Sequence, residues 1–321
     1  MTAHKILITA PYIQPVIEEY RALLEEFDPQ VTLVVPPVNE RFTETELLAC
    51  IGDIDGVISG DDEFTERVMQ AAPKLKVISK WGTGIDSIDL EAASRHNVTV
   101  CNTPDAFTHP VADTVLGYIL SFARQIPQMD SEIRSGRWSK MPGRSLREST
   151  LGVIGVGMVG QAVVHRAIAF GMRVLGNDIE EVPAEFVRET GLEVVGRDFL
   201  LRNSDFVSLN CDLNPTSRHI IGLQELDLMK STAYLINAAR GPLLDESAVT
   251  IALRENRIAG AAMDVFEIEP LPEDSELRRL DNCLLAPHNA NSSPEAHTRV
   301  HENTICNLIQ ELRLRADTQG S

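Results

Sequence analysis

The chain has 321 residues, 43% hydrophobic and 24% charged, with 29 Lys and Arg against 47 Asp and Glu. That composition suits a globular protein with enough apolar mass for two cores. A formal net charge of −18, with no local run of Lys or Arg to offset it, excludes nucleic acid and anionic membrane as expected partners, because both would be repelled.

The first residues, Met1-Thr2-Ala3-His4-Lys5, lead straight into an apolar run, and no stretch reaches the length of a membrane span. A cytoplasmic location is the expectation. Strand-like runs follow at residues 6–9, 31–35, 56–59, 75–79 and 98–101, separated by helix candidates at 14–27, 43–51, 65–72 and 89–96. Helices of this length between strands predict right-handed crossovers, hence a parallel sheet covered on both faces. After the turn Asn102-Thr103-Pro104, a longer helix is expected at 110–124, crossing between domains.

A second alternating set begins with the run Leu151-Gly152-Val153-Ile154-Gly155-Val156-Gly157-Met158-Val159-Gly160. Val153 and Ile154 end a buried strand, Gly155 permits a tight turn, Gly157 lets a pyrophosphate approach the backbone, and Gly160 allows close helix packing. The phosphates would rest on the N-terminus of a helix, where unpaired N–H groups and the macrodipole meet negative charge. That helix reads over 161–170 with Gly171 as its cap, a second strand follows at 172–175, and Asp178 stands where a carboxylate would take the ribose hydroxyls. Glu180 and Glu181 follow with no base before Arg188. They would repel a 2′-phosphate, so NAD is expected over NADP.

Further strands are expected around Val194 and Val207 and at 233–237, 260–265 and 283–286, with a last helix at 294–314. The dinucleotide fingerprint thus lies mid-chain. The expected fold class is α/β with two doubly wound parallel-sheet domains: a Rossmann cofactor domain at 104–286, inserted into a discontinuous flavodoxin-like outer domain formed by 1–103 and 287–321. Two linkers would then act as a hinge, enclosing a small substrate and expelling water. The five cysteines, Cys50, Cys101, Cys211, Cys283 and Cys306, show no CxxC spacing, and the eight histidines show no HxxH or HExxH pattern. Neither a disulfide framework nor a metal is expected.

Arg240 closes the run Asn237-Ala238-Ala239-Arg240-Gly241 directly after a predicted strand. A guanidinium there can grip a carboxylate bidentately and polarise a neighbouring carbonyl; a surface ion pair is the competing reading. His288 follows Pro287, and Glu269 precedes Pro270, each on a loop leaving an apolar strand. A carboxylate on one imidazole nitrogen would set the tautomer and leave the other to exchange a proton. Spacing alone does not pair these two residues, and a lone loop histidine is more often a satisfied surface group.

The order and spacing of the glycine loop, the segment from Asn237 to Glu246, Asp264-Val265-Phe266-Glu267 with Glu269-Pro270, and Pro287-His288 resemble the D-isomer-specific 2-hydroxyacid dehydrogenase family. Lys80-Trp81-Gly82-Thr83-Gly84-Ile85-Asp86 and Asn102-Thr103-Pro104 are most similar to its phosphoglycerate dehydrogenase-like branch. The resemblance, from about residue 55 to 293, implies an NAD-dependent exchange of hydride with C2 of a small D-2-hydroxy or 2-keto acid. It implies a catalytic set in which Arg240 binds the substrate carboxylate, His288 is the acid/base and Glu269 is its partner. The amides of Thr83 and Gly84 would hold the carboxylate. Cofactor contacts would come from Gly155, Gly157, Met158, Val159, Gly160, Asp178, Ala238 and Asp264, the last facing the nicotinamide carboxamide. A homodimer through the cofactor domain is also implied.

Phosphoglycerate dehydrogenases of this kind carry a base soon after the third outer strand, whereas this chain reads Ser59-Gly60-Asp61-Asp62-Glu63 there. Three consecutive carboxylates are expected to oppose a phosphate, with Lys80, Lys140 and Arg144 as possible compensation. Asn289 and Asn291 offer extra hydrogen bonds to a hydroxylated substrate. The preferred substrates are therefore hydroxypyruvate or glyoxylate, with 3-phosphoglycerate as the alternative. Trp81 and Trp138 are expected to be packing residues, although Trp81 lies in the substrate loop. An NAD(H)-sensing, corepressor-like binding protein is the alternative of another class, and hydride transfer from phosphite is a third.

Overall fold

The structure, a computed structural model, describes residues 3–319. Two compact units divide the chain: residues 1–107 with 293–321, and residues 108–292. In the first, β1 (Lys5–Ile8), β2 (Thr32–Val34), β3 (Gly56–Ser59), β4 (Val77–Lys80) and β5 (Thr99–Cys101) form a parallel sheet in the order β2-β1-β3-β4-β5. Every residue of β3 and β4 is buried, as a sheet covered on both faces requires. The short helices between strands start on side-chain caps, with Thr43, Thr65 and Asp89 each accepting a backbone N–H of the first turn.

The helix expected at 14–27 is divided into a 3-10 segment, Gln14–Tyr20, with Pro15 in its first turn, and an α-helix, Arg21–Phe27. The C-terminal helix, Pro294–Gln319, returns to this unit and packs on β3 and β4. Ser79 donates to the Thr304 carbonyl at 2.7 Å, and a Cβ on Gly56 would lie 2.9 Å from a Leu308 methyl.

The second unit holds a seven-stranded parallel sheet in the order β12-β11-β10-β9-β6-β7-β8. Its strands are β6 (Thr150–Ile154), β7 (Arg173–Asn177), β8 (Glu193–Val194), β9 (Phe206–Leu209), β10 (Tyr234–Asn237), β11 (Gly260–Met263) and β12 (Cys283–Leu285). Strand order reverses between β6 and β9, the point at which open α/β sheets bind ligands. The helix expected to cross between domains spans Thr108–Arg124 and belongs to this unit. It packs Ala112, Val115 and Ile119 into one core with Val163 and Ala167 of the helix Met158–Ala169. Among the described residues no helix is long and apolar enough to cross a membrane.

Candidate active site

The glycine run leaves β6 at the strand-order reversal and enters the helix Met158–Ala169 with Gly157 as N-cap. Each glycine has a separate reason to lack a side chain. Gly155 has φ +87°, and a Cβ there would come within 2.5 Å of the Cys211 nitrogen; a Cβ on Gly160 would lie 2.0 Å from the Gly155 carbonyl oxygen. Gly157, by contrast, is exposed and a Cβ would meet nothing within 4 Å. Two glycines thus let strand, turn and helix pack, and the third opens the backbone to a ligand. The first turn of the helix carries no acidic side chain and its N-cap makes no side-chain hydrogen bond. Such an end suits a pyrophosphate through amide donors and the helix dipole. Met158 is half exposed and Val159 partly exposed beside it.

Asp178 follows β7, next to this loop. Its Oδ2 accepts the Val156 N–H at 2.5 Å and its Oδ1 accepts the Glu180 N–H at 3.0 Å. The carboxylate expected to meet a ribose therefore also fixes the turn that precedes Gly157.

The strands β10, β11 and β12 lie side by side in parallel, so the loops that leave their carboxyl ends are neighbours. After β10, fully buried Asn237 builds the turn: its Nδ2 donates to the Arg240 carbonyl at 2.8 Å and its Oδ1 accepts the Ala239 N–H at 3.1 Å. Arg240 Nη1 donates to the Ala239 carbonyl at 2.9 Å. Gly241 lies flush on the next loop, where a Cβ would be 1.9 Å from the Phe266 oxygen. After β11, Glu269 spans two partners. Its Oε1 accepts the Phe266 N–H at 2.9 Å and its Oε2 is 2.9 Å from His288 Nδ1. The Glu269-Pro270 peptide is cis.

His288, after β12, has φ +50°, a left-handed conformation that needs holding in a residue other than glycine. Its N–H donates to the Asp264 carbonyl at 2.7 Å. The buried Asp264 carboxylate grips the next two residues, accepting the Asn289 N–H at 3.0 Å and the Ala290 N–H at 2.8 Å; Tyr118 adds a hydroxyl at 3.3 Å. Burial, reinforced by the Asp264 charge, raises the Tyr118 phenol well above its ordinary range and keeps it a donor. Glu269 and His288 each keep about a fifth to a quarter of their side-chain surface exposed, so the pair is both fixed and reachable. With Nδ1 facing a carboxylate, Nε2 is the nitrogen able to serve a substrate oxygen.

Thr83 and Gly84 lie in the first unit, on the loop after β4. Gly82 N–H donates to Thr103 Oγ1 at 3.2 Å, and Asn102 Nδ2 donates to the Thr83 carbonyl at 2.6 Å. Buried Trp81 stacks on Tyr12 and donates from Nε1 to His301 Nδ1 at 2.9 Å. Burial, then His297, brings His301 down to about 4. Its Nδ1 accordingly remains an acceptor at neutral pH.

Two expectations about this unit and its neighbour need correction. Of the three carboxylates after β3, Asp62 does not face outward: it is fully buried and accepts from Thr9 Oγ1 and from the N–H groups of Phe42 and Gly60. Burial pushes its carboxyl upward. Asp61 instead meets Lys80 Nζ at 3.1 Å, and Lys80 also donates to the Trp81 carbonyl. Arg144 pairs with Asp205 at 3.3 Å, within the second unit. Trp138 is 88% exposed and packs no core.

The helpers Asn237 and Tyr118 were not singled out from the sequence. A polar residue ending an apolar strand three residues before Arg240 is the one signal for Asn237; Tyr118, mid-helix, has none. Among the described residues no group of three or more His, Cys, Asp or Glu side chains could hold a metal ion.

Residues 116–290 match the family model described as D-isomer specific 2-hydroxyacid dehydrogenase, NAD binding domain. The chain is 41% identical to a D-3-phosphoglycerate dehydrogenase of Methanocaldococcus jannaschii over 91% of its own length, but spans only 54% of that relative. It is 39% identical to a glyoxylate reductase of Korarchaeum cryptofilum, covering 81% of this chain and 80% of the relative. Among solved structures, a D-lactate dehydrogenase of Aquifex aeolicus complexed with NAD and lactic acid superposes with a TM-score of 0.83 at 25% identity, over 99% of this chain and 96% of that one.

Proposed function

This chain belongs to the D-isomer-specific 2-hydroxyacid dehydrogenase family of NAD-dependent oxidoreductases, and on that premise we propose that it interconverts a short, unphosphorylated 2-keto acid, of the glyoxylate or hydroxypyruvate type, with its D-2-hydroxy acid. The observation that carries this reading is the Glu269–His288 pair at 2.9 Å on the strand ends beside the Arg240 loop.

NADH, when bound, supplies the hydride that goes to C2 and ends as NAD. Arg240 neutralises the substrate carboxylate and draws electron density from the 2-keto group. His288 Nε2 gives its proton to the keto oxygen, which becomes the hydroxyl, and takes it back in the reverse direction. Glu269 holds the imidazole tautomer and stabilises its protonated form. The amides of Thr83 and Gly84 hold the carboxylate. Gly157, Met158 and Val159 would hold the pyrophosphate, and Ala238 would line the cofactor site. Asp264 retains a lone pair for the nicotinamide carboxamide after its three hydrogen bonds.

Lys80 is already engaged by Asp61, and this supports an unphosphorylated tail, since a phosphate would meet a partly neutralised base and a carboxylate. A homodimer through the unit 108–292 and a cytoplasmic location complete the proposal. Its test is a substrate panel with the purified protein, read at the nicotinamide absorbance band. Glyoxylate or hydroxypyruvate should exceed phosphohydroxypyruvate in kcat/KM by about tenfold, which is roughly 1.4 kcal/mol of transition-state discrimination. Comparable or better turnover of the phosphorylated acid overturns the substrate assignment. No turnover of any 2-keto acid would favour a sensor, and reduction of NAD by phosphite would favour the other donor.

Asp178→Ala separates the two duties of that carboxylate. If it takes the ribose hydroxyls, NAD should weaken by about 1.5 kcal/mol, roughly tenfold in Kd, while NADP weakens less or gains. Equal losses for both cofactors in parallel titrations would leave Asp178 with only its bonds to the Val156 and Glu180 amides.

A further inference from the structure

A third carboxylate stands behind the acid/base pair. Half-buried Glu246 opens the helix Glu246–Arg254, and its Oε2 accepts the Glu267 N–H at 3.1 Å. The same short loop carries Glu269, and Gly241 closes on its backbone at Phe266 and Glu267. The side chain of Glu267 is occupied elsewhere, with Oε1 2.6 Å from His219 Nε2 at the surface. Glu246 therefore pins the loop at a point two residues from the carboxylate that orients His288.

The electrostatics run in the same direction as the geometry. The groups facing Glu246 are Glu267 and Glu269 from the loop and the Cys283 thiol from β12, with His219 beyond Glu267. Burial first, then the charges of Glu267 and Glu269, push the Glu246 carboxyl upward, against the pull of the Glu267 amide. Burial, and after it Glu246, bring the Cys283 thiol up to about 12, so it stays neutral. Carboxylates gathered in a half-buried place repel one another, and a protonated His288 relieves that repulsion.

We propose that Glu246 is a positioning residue for proton transfer: it anchors the loop bearing Glu269 and adds a second negative charge that helps hold the proton on His288. This rests on the acid/base reading of His288. Glu246→Gln keeps size and a hydrogen-bond acceptor for the Glu267 N–H but removes the charge. In the full chain with saturating NADH, its single-turnover rate of keto-acid reduction should lose activity at lower pH than the wild type, by about half a pH unit or more. Oxidation should gain activity at correspondingly lower pH, with NADH affinity unchanged. Glu246→Asp, which keeps the charge, should keep the wild-type limbs. Wild-type limbs in E246Q, or shifted limbs in E246D, overturn the proposal, and the second outcome is decisive even if E246Q does not fold. Should His288→Asn retain turnover, the acid/base reading itself fails; should it lose turnover while both Glu246 variants keep the wild-type profile, only the role of Glu246 falls.

Discussion

Replacing His288 with Asn should lower kcat by about 10²–10⁴-fold in both directions while NADH binds with unchanged affinity. Asn suits the test because it tolerates the left-handed backbone that His288 adopts at φ +50°. The loop would therefore keep its shape: the amides of His288, Asn289 and Ala290 are all held by Asp264 and do not depend on the imidazole. What is lost is the proton donor whose Nδ1 faces Glu269 at 2.9 Å. A single-turnover assay together with an NADH fluorescence titration separates chemistry from binding. Activity within about tenfold of the wild type would remove His288 from the proton transfer.

Arg240→Ala should cost about 3–6 kcal/mol, roughly 10²–10⁴-fold in kcat/KM, the worth of a bidentate charge-assisted grip. Both constants should suffer, because the guanidinium would bind the carboxylate in the ground state and withdraw electron density as the hydride arrives. Arg240→Lys should recover little, since an ammonium is a point charge without the planar fork. The turn itself should survive either change. Asn237 holds it through the Arg240 carbonyl and the Ala239 amide, not through the guanidinium. Steady-state kinetics with an unchanged NADH Kd checks the prediction; a loss confined to KM would reduce Arg240 to simple binding.

The parts of this site legible in the sequence are those whose chemistry is local. Gly155, Gly157 and Gly160 could be read because each needs a missing side chain for a reason set by its neighbours in a strand–turn–helix unit, and the structure shows two crowded glycines and one open one. Arg240 stands out because it closes the short turn that follows a strand. The pairing of Glu269 with His288 came only from the family resemblance, since it joins residues 19 apart on loops of different strands, a relation that no periodicity encodes.

Carboxylates were the hardest to read. Asp62 sits in an acidic run but turns inward to satisfy Thr9, Phe42 and Gly60. Asp178, read for a ribose, also ties down the Val156 amide. Whether an acidic group faces solvent, a ligand or its own backbone is decided by the amides that folding brings to it. Trp138 misled for the opposite reason: a large apolar ring ordinarily finds a core, yet here 88% of it is exposed.

The contact between Gly241 and the Phe266 carbonyl makes one template of the arginine turn and the glutamate loop. Efforts to redirect this enzyme to new acids by randomising either stretch alone should return mostly dead clones, because a side chain added where Gly241 meets the Phe266 carbonyl displaces the imidazole's support. Libraries that vary residues 238–243 together with 265–269, or that transplant the two stretches as a matched cassette, are the practical route to altered selectivity.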